Sequence, residues 1–422
     1  MLHLGDITKI DGAKAPAVEV VIGGSPCQDL SVAGKRAGLA GERSGLFMEQ
    51  IRIIKEMRRE SERSGANVVI PRFMVWENVP GAFSSNGGED FRAVLEETAQ
   101  VADASASIPR PRESWTNSGA VMGNGWSIAW RVLDAQFWGV PQRRRRIALV
   151  ADFGGFTAPE ILFERNGLSR NNQPSGTPWK DFASAIAERF GGADNTEQAS
   201  KSVDHHVVFN GETITNKLNR SNPKIGDPCH TLSTRGASMC YCVRERCGCE
   251  GGGKGLLVQN NRSGTLSTSN DEFVVAFKYK QGSKARSIGY QEEISPCLSG
   301  EQDVSVVAYD DARRLTPLEE ERLQGYPDGW TDIGTYIDSH GKERKTSDSS
   351  RYKALGNSIA LPPWAWILER LNGYCTAHTM ASLFDGIGGF PLIWETLNGK
   401  GSCLWASEIE EFPIAVTKYR FK

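Results

Sequence analysis

The sequence predicts an α/β protein built on a doubly wound sheet, with a smaller β-rich module set into it. Three observations carry this. Two short apolar runs, Val18 to Ile22 and Phe73 to Trp76, end in polar motifs, Gly23-Gly24 and Glu77-Asn78-Val79-Pro80. A third run, Met380 to Phe384, opens into Asp385-Gly386-Ile387-Gly388-Gly389 and then a helical pattern. Between about Gly154 and Asp311 such patterns give way to clusters of Asn, Ser, Thr and Gly separating short β-like pieces. In open α/β sheets, ligands bind at the carboxyl ends of strands, where all three polar motifs are expected.

Each element follows from local pattern. Leu46 to Arg59 places Ile51, Ile54 and Met57 at helical spacing among charges, the period of a helix packed on a sheet. Trp130 to Phe137 and Ile147 to Val150 fit an adjacent strand pair, joined through Val140-Pro141-Gln142 and the run Arg143 to Arg146. In the middle module only Phe182 to Phe190 keeps a helical period. Three similar turns recur there, Pro228 to Thr234, Ser263 to Thr268 and Ser295 to Ser299, at spacings too irregular for a solenoid, and repeated hairpins are expected. Thr316-Pro317 is a cap followed by proline at the first helical position, starting a helix through Leu323. A loop from Asp328 to Ser350 leads to Tyr352 to Ser358 and an apolar helix, Pro363 to Leu371. After a connector, Asn372 to Thr379, come the glycine-loop strand, a helix from Phe390 to Leu397, a strand from Cys403 to Ser407 ended by Glu408, and a last helix, Phe412 to Tyr419. The expected organisation is 1–153 as a first catalytic part, 154–312 as the β-rich module, 313–371 as a return, 372–379 as connector and 380–422 as the cofactor part.

Composition bounds the partners. With 422 residues and a net charge of −2, no global basic field announces nucleic acid, so a polyanion would have to be met by local clusters such as Arg143 to Arg146. No apolar run approaches the ~20 residues of a membrane span, and the first residues lack the regions of a signal peptide, so a cytosolic protein is expected. Nine cysteines, an odd number, argue for reduced thiols.

Gly386, Gly388 and Gly389 between strand and helix would let backbone approach a cofactor, and Glu408, about 20 residues on, stands where an acid takes ribose hydroxyls in Rossmann-like folds. Pro391 breaks the G-x-G-x-x-G spacing and disfavours an ordinary NAD loop. Cys27, among small residues at a strand end, is placed to present a thiolate, or else is an inert, partly buried thiol. Glu77 follows Trp76, so its carboxyl would lie beside an apolar wall that favours protonation, or else be a solvated loop acid. The arginine run reads as a phosphate clamp or a solvated charge block.

Together these motifs resemble the C5-cytosine DNA methyltransferase family. The resemblance rests on Phe384 to Phe390, Pro26-Cys27-Gln28, Glu77-Asn78-Val79, Gln142 to Arg146, Gly356-Asn357-Ser358 and Arg322 to Pro327. It covers both catalytic blocks, while residues 154–311 correspond only by position to the family's target-recognition domain. The family usually begins with the glycine loop, which here lies last. Gly5-Asp6-Ile7 resembles the segment that normally follows the acidic residue, and joining Lys422 to Met1 would restore the usual order, so the chain looks circularly permuted.

The resemblance implies a Rossmann-like S-adenosylmethionine-dependent sheet acting on double-stranded DNA. Cys27 would add to carbon 6 of cytosine and make carbon 5 nucleophilic, and Glu77, beside Asn78, would hold or protonate N3. Arg144 would contact the base carbonyl and orient the acid, with Gln142 and Arg146 shaping the loop. S-adenosylmethionine would meet Phe384, Asp385, Gly386, Gly388 and Gly389, with Glu408 on the ribose, Asp6 on the adenine and Asn357 nearby. The cytosine would be flipped from the duplex. Ser31, Lys35 and Arg36 would meet phosphates, or form a plain flexible loop. Thr231-Leu232 and Thr265-Leu266 resemble recognition-domain dipeptides. Cys240, Cys242, Cys247 and Cys249 cluster, but their C-x-C pairs are tighter than the usual C-x2-C of zinc sites, and no metal is assigned. A cytoplasmic monomer of bacterial or phage origin is implied, with a cognate restriction endonuclease as a partner that the sequence neither requires nor excludes. Two other readings compete: a non-catalytic DNA-binding regulator on the same scaffold, and a nicotinamide-dependent oxidoreductase, which leaves Pro26-Cys27-Gln28 unexplained.

Overall fold

The structure, a computed structural model, describes residues 1–25, 45–140, 142–163 and 315–422, together with the backbone of five short strands between 241 and 314. The elements, in chain order, begin with β1 (Leu2–His3), β2 (Val20–Gly23), α1 (Leu46–Arg63), β3 (Phe73–Asn78), α2 (Glu89–Ala99), β4 (Ser118–Met122), β5 (Ser127–Asp134), β6 (Arg145–Asp152) and α3 (Ala158–Leu162). The short strands are β7 (Tyr241–Arg246), β8 (Gly255–Asn260), β9 (Ala276–Lys278), β10 (Val304–Ala308) and β11 (Asp311–Arg314). Then follow α4 (Pro317–Gln324), β12 (Thr335–Ile337), β13 (Glu343–Lys345), α5 (Asp348–Asn357), α6 (Leu361–Asn372), β14 (Met380–Leu383), α7 (Gly389–Asn398), β15 (Cys403–Ser407) and α8 (Glu411–Arg420).

One eight-stranded sheet organises the described chain, in the order β1-β15-β14-β2-β3-β6-β5-β4. The first five run parallel, and β6 is antiparallel to β3. The last two strands of the sequence therefore lie between the first two. Parallel strands are covered on both faces, which is why β2 reads as a continuous apolar run. Its residues divide by parity. Val20 and Ile22 join a core with Phe73 and Val75 under α6, α7 and α8, while Val21 joins Met74 and Trp76 under α1 and α2. From β14 the chain crosses to β15 on one side, and from β2 to β3 on the other, so the reversal of winding falls between β14 and β2. Their carboxyl ends open the crevice where ligands of such sheets bind.

Several boundaries differ from the sequence reading. Glu77 and Asn78 are the last residues of β3, not a loop after it, because the ladder to β6 runs through both. The strand read as Trp130 to Phe137 is β5, displaced three residues earlier, and a 3-10 turn, Ala135–Trp138, follows it. Helix α2 and strands β1 and β4 went unread, since β1 is two residues long and β4 sits at the sheet edge with its pattern split between glycine and small residues. The stretch read as a loop from Asp328 to Ser350 contains the β12–β13 hairpin and the start of α5. Helix α4 has the expected cap as a full capping box, Thr316 with Glu319. Ala158, Ile161 and Leu162 of α3 are fully buried in the sheet's core, so residues just past 153 still pack with the first part. The weak repeats and the Phe182 to Phe190 period lie outside the described residues.

Candidate active site

Four motif positions and Ser25 converge on the carboxyl edge of the parallel strands: the turn after β14, Glu408 after β15, Asp6 after β1, Glu77-Asn78 ending β3, and Ser25 after β2. Strand β6 enters from the opposite direction, so its amino-terminal arginines meet the carboxyl end of β3. The register sets Glu77 opposite Ala148 and Asn78 opposite Ile147. Arg146 is thus the diagonal neighbour of Glu77, within reach of a long side chain. Its Nε lies 2.8 Å from Glu77 Oε1, both side chains being mostly buried.

The acid's ion-pair partner is therefore Arg146. Arg144, two residues further from the ladder, is 4% exposed and donates from Nη2 to the carbonyls of Gly356, at 3.3 Å, and Ser358. The Ser358 hydroxyl in turn pairs with the Tyr326 hydroxyl. Arg144 so ties the arginine segment to Gly356-Asn357-Ser358, while Asn357 itself is exposed at the end of α5. Asp134 fixes the same segment from β5, accepting from Arg144 N at 3.2 Å and Gln136 Nε2 at 2.7 Å, with Arg143 Nε at 3.7 Å. Gln142 is fully buried. Arg144 and Arg146 line a narrow cleft with Leu133, Ala360, Pro363 and Trp364. In place of the apolar wall expected beside Glu77, the carboxyl faces this guanidinium, because Trp76 alternates to the other face of β3.

Cys27 lies outside the described residues, and the chain before it is described as far as Ser25. Ser25, two residues before it, is 4% exposed and its hydroxyl accepts from Trp76 Nε1 at 2.9 Å. Asn78 is buried and donates from Nδ2 to the Ser25 carbonyl at 3.3 Å, so it acts as an anchor for that segment. Gly24 runs against the acid, since a Cβ there would stand 3.0 Å from Glu77 Oε2. The chain leading to the thiol thus leaves β2 beside the acid–arginine pair. Ser31, Lys35, Arg36, Thr231, Leu232, Thr265 and Leu266 also lie outside the described residues, as do three of the four clustered cysteines and the side chain of Cys242. Among the described residues no cluster has the makings of a metal site.

On the other side of the crevice, Phe384 and Gly386 both take positive φ, 55° and 56°. The Glu408 carboxylate is pinned by Gly386 N at 2.8 Å, Ile409 N at 2.8 Å and Glu410 N at 2.9 Å. The three glycines differ in purpose. A Cβ on Gly386 would meet open space, one on Gly388 would stand 2.6 Å from the Phe421 ring, and one on Gly389 would stand 2.5 Å from the Tyr326 hydroxyl. Only Gly386 fronts the crevice; the other two let α8, Tyr326 and Ile359 close against the turn. Trp330 Nε1 holds the Ile387 carbonyl at 2.8 Å. Asp385 is buried, accepts from the Ser382 hydroxyl at 2.5 Å, and has no partner for Oδ2. Burial, with the nearby Glu408 charge, pushes its carboxyl up to about 8 against the Ser382 hydrogen bond. Asp6 caps a 3-10 turn, and hydrogen bonds from the Thr8 backbone and hydroxyl hold its carboxyl below the usual carboxylate range. A polar crevice with an open glycine, a pinned carboxylate and an orphaned carboxyl oxygen fits a polar nucleotide-like cofactor.

Sequence reading missed Ser25, Asp134, Tyr326 and Trp330 as contributors. Trp330 and Tyr326 follow one another within Gln324 to Trp330, but nothing local marks them as buttresses of a turn some sixty residues on.

A glycine turn and an acid–arginine pair on the carboxyl edge of one doubly wound sheet define the class as an α/β enzyme with a nucleotide-type cleft. The chain belongs to the C-5 cytosine-specific DNA methylase family, whose model matches residues 1–102 and 119–372. Those residues exclude β14 and β15. The chain is similar to the DNA N-6-adenine-methyltransferase of Escherichia phage P1, 28% identical over 425 residues, covering 87% of this chain and 55% of that protein. It is also similar to the Type II methyltransferase M.NlaIV of Neisseria lactamica, 22% identical over 417 residues and covering 87% and 86% of the two. Among solved structures it resembles the S. pombe Dnmt2 methyltransferase, 14% identical, covering 87% and 82% with a TM-score of 0.33. The chain spans about half the length of the phage P1 relative. No helix of the described residues is long and apolar enough to cross a membrane.

Proposed function

We propose that this chain transfers a methyl group from S-adenosylmethionine to carbon 5 of cytosine within a specific double-stranded DNA sequence. The observation that carries the reading is the Glu77–Arg146 pair at 2.8 Å, set beside the anchored segment that leads to Cys27. The Cys27 thiolate adds to carbon 6 of a flipped cytosine, which places electron density on carbon 5. Glu77 engages N3, Arg146 fixes the acid, and a guanidinium of the run would meet the base carbonyl. Bound S-adenosylmethionine supplies an electrophilic methyl group. Loss of the carbon 5 proton and departure of the Cys27 sulfur then restore the aromatic ring. Glu408 would take the ribose, Asp6 the adenine, and Phe384 and Gly386 the methionine part.

The motif order supports a circularly permuted arrangement. Strands β14 and β15 carry the glycine turn and the acid, come last in sequence, and pair between β1 and β2. Residues 154–312 would hold the target-recognition module, with Thr231, Leu232, Thr265 and Leu266 toward the major groove, and Ser31, Lys35 and Arg36 would meet phosphates.

The phage P1 relative's name raises methylation of adenine N6 as a second reading. An exocyclic amine already carries a lone pair and needs no thiol adduct, so Pro26-Cys27-Gln28 favours cytosine. The test is expression in a bacterial host lacking both modifications, alongside Cys27→Ser. Cytosines of one short motif protected from bisulfite conversion by the unaltered chain and not by the variant establish the reading. Full conversion with methylated adenine would replace it, and full conversion without any mark from a soluble chain that binds S-adenosylmethionine would overturn it.

A further inference from the structure

The four arginines of the run are not equivalent. Arg143 is paired with Asp134, Arg144 with the carbonyls of Gly356 and Ser358, and Arg146 with Glu77. Arg145 is exposed and has no side-chain partner among the described residues. Parity on β6 explains the split: Arg146 shares the face of Ala148 and Val150, while Arg145 shares that of Ile147 and Leu149 and extends past the end of the core. Its register partner is Asp134, which is engaged with Arg144 N and Gln136 Nε2. Three residues beyond Asp134, in the 3-10 turn at the carboxyl end of β5, Phe137 is 52% exposed. Its neighbour Trp138, by contrast, packs on Trp366 with ring centroids 5.0 Å apart.

An unpaired cation and an exposed aromatic ring thus stand on the sheet edge that carries the acid–arginine pair. Any duplex that delivers a base to Glu77 must approach this edge. We propose that Arg145 and Phe137 form a DNA-contact patch flanking the base site, with Arg145 on a backbone phosphate and Phe137 against the adjoining sugar or base. The inference rests on the proposed action on double-stranded DNA. It divides the run by role: three arginines build the site from within, and one reaches outward for the substrate. Phosphate contact is the use to which an exposed guanidinium at such an edge is suited, being always charged and weakly hydrated.

The test measures binding of a fluorescent duplex by anisotropy across a salt series, for the unaltered full-length chain, Arg145→Ala, Phe137→Ala and, as a distant exposed control, Arg63→Ala. Loss of one phosphate contact lowers the slope of log affinity against log salt by about 0.9. Arg145→Ala is expected to show that change with about a 5- to 10-fold weaker affinity at low salt. Phe137→Ala is expected to weaken binding about 3-fold with an unchanged slope, because it carries no charge. Both should bind S-adenosylmethionine as the unaltered chain does, which separates a lost contact from a misfolded protein. An Arg145→Ala slope and affinity equal to those of the unaltered chain and of Arg63→Ala would overturn the inference while leaving the proposed function intact. Failure of the unaltered chain to bind duplex at all would overturn the proposed function itself.

Discussion

Arg146 meets Glu77 across the β3–β6 ladder at 2.8 Å, while Arg144, on the same face of the chain and two residues away, is turned to the carbonyls of Gly356 and Ser358. The two side chains are chemically identical, and only their distance along the strand separates an electrostatic partner of the acid from a structural tie.

That division predicts opposite phenotypes. Arg146→Ala should lower kcat about 100-fold or more, the scale of a lost acid–base contribution. Arg144→Ala should instead lower the melting temperature by several degrees, because it leaves buried carbonyls without their donor. Steady-state kinetics and calorimetry on both variants distinguish the assignments. The reverse pattern would return the role to Arg144.

The glycine turn makes a second contrast. Gly386→Ala puts a methyl group into open space at a positive φ, for a cost of about 1 kcal/mol, and should chiefly weaken cofactor binding, read by calorimetric titration with S-adenosylmethionine. Gly388→Ala drives a Cβ to 2.6 Å from Phe421 and should destabilise by about 2–4 kcal/mol in urea unfolding.

Asp385 predicts a pH dependence. Its carboxyl is raised from an ordinary 3.8 to about 8 by burial, so between those values the folded chain holds a proton that the unfolded chain has lost. Stability from this group therefore falls as pH rises from about 4 to about 8 and is level beyond. Asp385→Asn, which keeps the shape and the contact with Ser382, should gain in melting temperature relative to the unaltered chain across that interval and gain no more above it. A constant difference from pH 5 to 9 would refute the assignment.

The connector before the glycine-loop strand is held by one carboxylate. Glu19 is 1% exposed and accepts from the backbone N–H groups of Thr376 at 2.9 Å, Ala377 at 2.6 Å and His378 at 3.1 Å. Thr379 O accepts in turn from Val20 N at 3.0 Å, where β14 begins beside β2. Glu19→Ala should cost about 2–4 kcal/mol in urea unfolding, since it leaves several donors without an acceptor, and should speed proteolytic nicking within 372–379.

By itself the sequence determined several strands of the sheet beside the crevice and the polar groups at their ends. Val18 to Ile22, Phe73 to Trp76 and Met380 to Phe384 each hold most or all of a strand, β2, β3 and β14, because buried parallel strands must be apolar on both faces, a purely local requirement. Glu77, the arginine run, the glycine turn and Glu408 were all legible as polar groups at strand ends. Only the tertiary structure decided which arginine meets the acid, which glycine fronts the crevice, and that Asn78 and Trp76 hold Ser25 at the end of β2. Those choices depend on register between strands some seventy residues apart and on Tyr326, Trp330 and Phe421, which approach the glycine turn from other parts of the chain. Parity along a strand assigns a face, and that much can be read from one segment; a partner is assigned by distance between segments, which exists only once the chain has folded.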